Sequence, residues 1–174
     1  MKKKLVNIFD YSKIINEAYN PGILLTTRAN DKVNSMVIGW GTLGVIFNEK
    51  TFIVYVRNNR YTHELLDINP EFTINVPLDS KLDSNIIKIC GTKSGRNLNK
   101  IKEANLTLVE PNSISVPGIL EAPLTIECKV IYKIDQVTLN LPDDVRSRFY
   151  NQNQEDTYHT VYYGKIVSSY IIEE

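Results

Sequence analysis

The chain has 174 residues, 43% hydrophobic and 23% charged, which fits one compact domain over 1–174 and leaves little room for a second. Lys+Arg and Asp+Glu both number 20, so no global basic field is available to hold nucleic acid, and any anion site must be local. Cys90 and Cys128 lie far apart with no CxxC, which suggests neither a zinc site nor a disulfide framework and makes a reducing compartment the simplest home.

The start, MKKKLVNIF, offers positive charge but reaches Asn7 and Asp10 before any apolar run of signal-peptide length. No eighteen-residue apolar span follows, so a cytoplasmic protein without a membrane partner is expected. Tyr11 to Tyr19 reads as a short helix with Ile14, Ile15 and Ala18 on one side, ending at Asn20-Pro21-Gly22. Strands are expected over Ile23 to Thr27, Val33 to Gly41 and Thr51 to Val56, with a hairpin turn in Arg28 to Lys32. A helix should begin near Asn58-Asn59, and Glu71 to Val76 is a further strand closed by Pro77. Asp79 to Ile89 has helical periodicity in Leu82, Ile86, Ile87 and Ile89, with Gly91 as its breaker. A short helix over Asn97 to Ala104, a strand over Leu106 to Val109, a Pro111 to Pro123 connector and an alternating strand over Leu124 to Ile134 follow. Pro142 to Tyr150 can form one helix, with Pro142 near its first turn, and Tyr158 to Ile172 supplies a long final strand. Short strands without regular βα alternation predict a mainly β fold: an antiparallel barrel with peripheral helices.

Within this frame, residues 34 to 44 (NSMVIGWGTLG) combine strand formers with three glycines. If Met36 to Gly41 is extended, Met36, Ile38 and Trp40 point one way and Val37, Gly39 and Gly41 the other, so one face is nearly bare. Gly39 and Gly41 would then stand about 7 Å apart, comparable to the width of a fused aromatic ring system. Close approach of a ligand is one reading of these glycines, and a bulge or bend is the other.

Arg57-Asn58-Asn59-Arg60-Tyr61-Thr62 falls where a strand gives way to a helix, so free N–H groups, two guanidinium groups and the Thr62 hydroxyl can hold a phosphomonoester. An asparagine-capped helix with solvated arginines accounts for the same residues. Cys90-Gly91-Thr92-Lys93-Ser94-Gly95-Arg96 is a glycine-containing basic loop that can form an anion nest, or an ordinary surface turn. It does not match the Walker A spacing.

Taken in order, these segments resemble the flavin reductase-like family, and most closely its flavoredoxin-like branch of FMN-binding split barrels. The resemblance is carried by PGILLTT at 21 to 27, NSMVIGWGTLGVIF at 34 to 47, VYVRNNRYTHELL at 54 to 66, CGTKSGRNLNK at 90 to 100 and YHTVYYGKIV at 158 to 167. It implies an antiparallel Greek-key split β-barrel and a homodimer that binds FMN near the subunit interface. Carried onto matching positions, Asn34, Ser35 and Met36 with Gly39, Gly41, Thr42 and Leu43 would lie along the isoalloxazine and ribityl chain. Arg57, Arg60, Tyr61 and Thr62 match the segment that holds the phosphate, and Lys93, Ser94, Gly95 and Arg96 the loop that completes the site. Tyr158 and His159 match a strand motif that approaches the flavin in relatives, although a packed, hydrogen-bonded histidine is the plainer reading. Trp40 is expected to face away from the glycines, into the core or dimer interface.

Departures from the family's pattern matter too. Val37 stands where many relatives place threonine, Asn97 and Asn99 where aspartates are common, and Asp31 where a hairpin glycine is common. The resemblance implies an oxidoreductase in which flavin carries the chemistry, with NADH, NADPH or a redox partner protein as donor; an electron carrier or flavin-sensing protein is the alternative. No Ser/His/Asp triad, HExxH motif or GxGxxG fingerprint accompanies it.

Overall fold

A computed structural model describes residues 1–79, 81–150 and 157–173. β1 (Lys2–Leu5) precedes a 3-10 turn (Ile8–Tyr11) and α1 (Ser12–Ala18). Two hairpins follow, β2 (Ile23–Ala29) with β3 (Lys32–Ile38) and β4 (Gly41–Ile46) with β5 (Glu49–Arg57). Then come α2 (Tyr61–Ile68), β6 (Glu71–Val76), α3 (Ser84–Thr92) and α4 (Lys100–Glu103). The short pair β7 (Leu108–Val109) and β8 (Gly118–Ile119) leads to β9 (Leu124–Asp135), α5 (Asp143–Phe149) and β10 (His159–Glu173).

The main sheet runs β3-β2-β6-β9-β10-β5-β4, with β1 added on β10, and its pairings are antiparallel. Its two end strands, β3 and β4, are consecutive in the chain and separated only by Gly39 and Trp40. So short a link spans about 10 Å at most, so the sheet must curl until its edges nearly meet. The result is a barrel with one unpaired seam, in agreement with the mainly β architecture expected from the sequence.

Phe52, Phe72, Ile74, Ile126 and Tyr162 fill the barrel, all at most 1% exposed. Burial of each such side chain contributes about 1.5–3 kcal/mol. β2 is buried on both faces, Leu25 against the barrel interior and Leu24 against Ile86 and Cys90 of α3, which is why it reads as a continuous apolar run.

The structure departs from the sequence-based expectation in several places, among them α4, which spans only Lys100–Glu103, and β7, which spans only Leu108–Val109. Met36 to Gly41 is not one strand: β3 stops at Ile38, the chain bends at Gly39, and Gly41 starts a strand paired to β5. A bend is thus realised at Gly39, which also lines a groove at the seam. The sequence does not announce β4, because its hairpin turns through Phe47 and Asn48, both left-handed at φ 55° and 59°, without the Asn-Gly signal such turns usually carry. Gly91 does not break α3, which runs on to Thr92 with Gly91 packed over Val37. Tertiary packing here outweighs the cost of about 1 kcal/mol for a helical glycine. That helix also starts later than expected, at Ser84, where the Asp83 carboxylate accepts from the Asn85 amide; Ser80, within the expected range, lies outside the described residues.

Candidate functional site

The seam at Gly39 opens a groove with two lobes. Met36, Gly39, Trp40, Tyr55, Arg57, Arg60 and His159 line one, a cleft of about 160 Å³. Asn34, Met36, Arg60, Tyr61, Thr62, Lys93, Ser94, Gly95, Arg96 and Lys100 line the other, of about 120 Å³. Met36 and Arg60 belong to both, so the lobes are two ends of one groove. One end is aromatic and the other basic.

At the basic end α2 begins with Arg60, rather than Asn58 or Asn59, at the N-cap, and the Arg60 side chain makes no cap bond. First-turn amides of a helix have no partner within it, and the dipole favours an anion there. Thr62, 1% exposed, receives a hydrogen bond from Asn34 Nδ2 at 2.9 Å. The other end of that amide, Asn34 Oδ1, is buried with no partner. Arg96 donates to the Glu64 carboxylate and to the Asn59 carbonyl (3.1 Å) and lies over the Tyr61 ring, so it clamps the basic loop onto α2. Lys100, 5% exposed, donates to the carbonyls of Ser35 (3.2 Å) and Cys90 (3.0 Å). Burial holds its pKa below the ordinary lysine value, with Cys90 opposing and Arg60 adding to that shift. Among the described residues no ion pair joins Arg60, Lys93 or Lys100 to a carboxylate.

At the aromatic end Trp40 packs edge-on against Phe149 and tilted against His159, each at 5.1 Å between ring centres. Arg57 donates to the Phe149 carbonyl (2.9 Å) and lies over the Tyr150 ring, holding α5 against this lobe. His159 Nδ1 is 2.6 Å from the Tyr150 hydroxyl, which also donates to Gln136 Oε1. Tyr150 has one proton; given to Gln136, it leaves Nδ1 as the protonated donor to Tyr150 and Nε2 as an acceptor. Burial, then Arg57 and Arg60, push the imidazole pKa down to about 4, so the ring is neutral at neutral pH.

Most of the site residues expected from the sequence converge on this groove, but not all. Ser35 is fully buried and its hydroxyl pairs with Thr26, so only its carbonyl takes part, through Lys100. Gly41, Thr42 and Leu43 lie on β4 and line neither lobe. The expected bare face at Gly41 is filled: a Cβ there would stand 2.3 Å from the Tyr19 hydroxyl and 3.1 Å from Phe52. Arg57 sits at the aromatic end, away from the basic lobe where Arg60 and Thr62 meet. Trp40 is 41% exposed and part of the cleft wall, not of the core. His159 is packed and hydrogen-bonded and also faces the groove. Two lining residues carry no site signal in the sequence: Lys100, which lies inside the expected Asn97 to Ala104 helix, and Tyr55, which lies inside an expected strand.

The chain thus falls in the class of antiparallel split barrels with a groove at the seam, aromatic at one end and basic at the other. The chain belongs to the flavin reductase like domain family, whose model matches residues 18–174. A protein of Archaeoglobus fulgidus is 30% identical over 135 residues, 78% of this chain and 71% of that one. The fold is similar to flavoredoxin of Desulfovibrio vulgaris (Miyazaki F), with TM-score 0.66, 23% identity, and 87% of this chain and 69% of that chain covered. It is also similar to nitrilotriacetate monooxygenase component B from Bacillus cereus, with TM-score 0.65, 18% identity, and 97% and 81% covered. No helix among the described residues is long and apolar enough to cross a membrane, and no cluster of three metal-ligating side chains occurs among them.

Proposed function

We propose that the groove binds FMN and that the protein is a flavoprotein oxidoreductase, passing electrons from NADH, NADPH or a redox partner protein to a downstream acceptor. The observation that carries this reading is the continuity of an aromatic lobe and a basic lobe through Met36 and Arg60, which suits a planar ring joined to a phosphate. The residues fit the cofactor: Asn34 Oδ1 is an orphaned buried acceptor, and Lys93, Arg60 and Lys100 form a cationic cluster with no carboxylate among the described residues that line it.

Arg60, Lys93, Ser94, Thr62 and the start of α2 would hold the phosphate, with Arg96 keeping the loop in place. Met36 and Gly39 would flank the ring system, and His159 would offer an uncharged acceptor beside it. Bound there, the flavin supplies the hydride and electron chemistry, which is why no side-chain nucleophile is needed. The groove is open along one side, and a second copy of the chain covering it in a homodimer belongs to the same proposal.

The test is the absorption spectrum of purified protein mixed with FMN, before and after anaerobic addition of NADH or NADPH. A bound-flavin spectrum that bleaches with either nucleotide is expected. Absence of any FMN binding would overturn the cofactor assignment. FMN that binds but is reduced only by a protein donor would favour an electron carrier, the reading supported by the lack of a dinucleotide fingerprint.

A further inference from the structure

We propose that Lys100 is the buried counter-charge that makes the basic lobe select a terminal phosphomonoester dianion, an inference that rests on reading the groove as an FMN site. Lys100 is the first residue of α4, preceded by the uncharged run Asn97-Leu98-Asn99. Its ammonium reaches back to the Cys90 carbonyl in the last turn of α3 and the Ser35 carbonyl of β3. Two of its three N–H donors are thereby used, and the residue itself lines the basic lobe.

Lysine is almost never buried to this degree unless paired. Two backbone carbonyls offset only part of the cost of removing an ammonium from water, and among the described residues no charge of opposite sign pairs with it. The described residues around it do not supply one. Arg60 and Lys93 repeat the positive charge on the same lobe, Arg96 takes the Glu64 carboxylate, and burial keeps the Cys90 thiol protonated. A dianion placed between Arg60, Lys93 and Lys100 offsets two of their three positive charges, and a neutral ligand of the same shape offsets none. Lys100, the buried member of the three, is therefore a specificity-determining residue for phosphorylated over unphosphorylated flavin. A mere staple that ties α3 and α4 to β3 would give no such preference.

Lys100→Gln separates the two, because its amide N–H groups can still donate to the carbonyls while the charge is gone. FMN, riboflavin and inorganic phosphate are titrated into wild type and variant. Expected is an FMN dissociation constant raised about tenfold or more with riboflavin within about twofold, while Lys100→Arg retains most of the FMN affinity. Unchanged FMN binding, or equal loss of FMN and riboflavin, overturns the inference. Should Lys100→Gln fail to fold, the lysine Nζ resonance of the wild type, assigned by its disappearance in Lys100→Arg, must move on phosphate addition; a stationary resonance with phosphate bound is equally fatal. Wild type that binds phosphate but no flavin removes the FMN reading and leaves Lys100 in its role. Wild type that binds riboflavin as tightly as FMN removes the role of Lys100 and leaves the flavin. Wild type that binds none of the three removes both.

Discussion

Asn34 and Gly95 meet so closely that only one of them can carry a side chain: a Cβ built on Gly95 would lie 2.1 Å from Asn34 Oδ1 and 2.9 Å from Tyr61 Cδ1. The amide of β3 thus reaches under the basic loop to Thr62, and the loop's glycine makes room for it. Gly95→Ala is predicted to expel the Asn34 amide or lift the loop. A drop in stability of about 1–3 kcal/mol and a clear loss of FMN affinity are expected, read by denaturant titration and flavin fluorescence. Retention of wild-type affinity would contradict the placement of Asn34 in the site.

Gly41 and Tyr19 form a second such pair, on the far side of the seam. Gly41→Ala should destabilise the protein by about 1–3 kcal/mol through overpacking against the Tyr19 hydroxyl. That hydroxyl is buried without a partner, so Tyr19→Phe alone should be neutral or stabilising. The double variant should recover most of the loss; two additive penalties in thermal melts would show that the hydroxyl is not the obstacle.

Arg60 and Arg96 were equivalent in the sequence but are not in the fold. Arg60 lines both lobes with no carboxylate partner among the described residues, whereas Arg96 is bound to Glu64 and the Asn59 carbonyl. Arg60→Ala is predicted to weaken FMN binding about 10–100-fold, the worth of a charge-assisted contact. Arg96→Ala should weaken it less, by loosening the loop. Calorimetric titration of both variants decides, and the reverse order would exchange their roles.

His159 predicts a pH dependence. Its folded pKa, about 4, lies below the ordinary value of 6.5, so the unfolded chain takes up the proton first as the solution acidifies. The stabilising effect of the neutral ring is complete above about pH 6.5 and is lost as pH falls through about 4. Its size is about 3 kcal/mol. The stability difference between wild type and His159→Gln should therefore shrink across this window, on top of the carboxylate titration common to both. Trp40, the only tryptophan, packs on this ring and should report its protonation as a fluorescence change. Parallel stability curves for the two proteins would rule the assignment out.

Neither thiol should react in the native protein. Cys90 is 1% exposed with its pKa pushed up to about 11, and Cys128 is fully buried with its pKa well above the usual value, in both cases mainly by burial. Labelling by a disulfide-exchange reagent at mildly alkaline pH should be slow until denaturant is added. Rapid modification without denaturant would show that one of the two is reachable.

How much of this was legible beforehand depends on the range of the forces involved. Strand alternation in Leu124 to Ile134, the apolar faces of α1 and α3, and the turn chemistry at Asn20-Pro21-Gly22 are local, and the sequence displayed them. So were the three motif segments, and with them the family. Their assembly into one groove was not. The path from Gly39 through Trp40 looks like a continuous strand until β3 and β4 are seen at opposite ends of one curled sheet, a consequence of pairings between residues far apart in the chain. Gly41 reads as an open face because nothing near it in sequence announces Tyr19, and Lys100 stands unremarked inside the Asn97 to Ala104 helix because only α3 and β3 together bury it. Residue types and spacing determined what kind of chemistry the chain can hold. Long-range packing decided which of those residues meet, which glycines are bare toward the groove and which toward the protein itself, and which charges pair among the described residues.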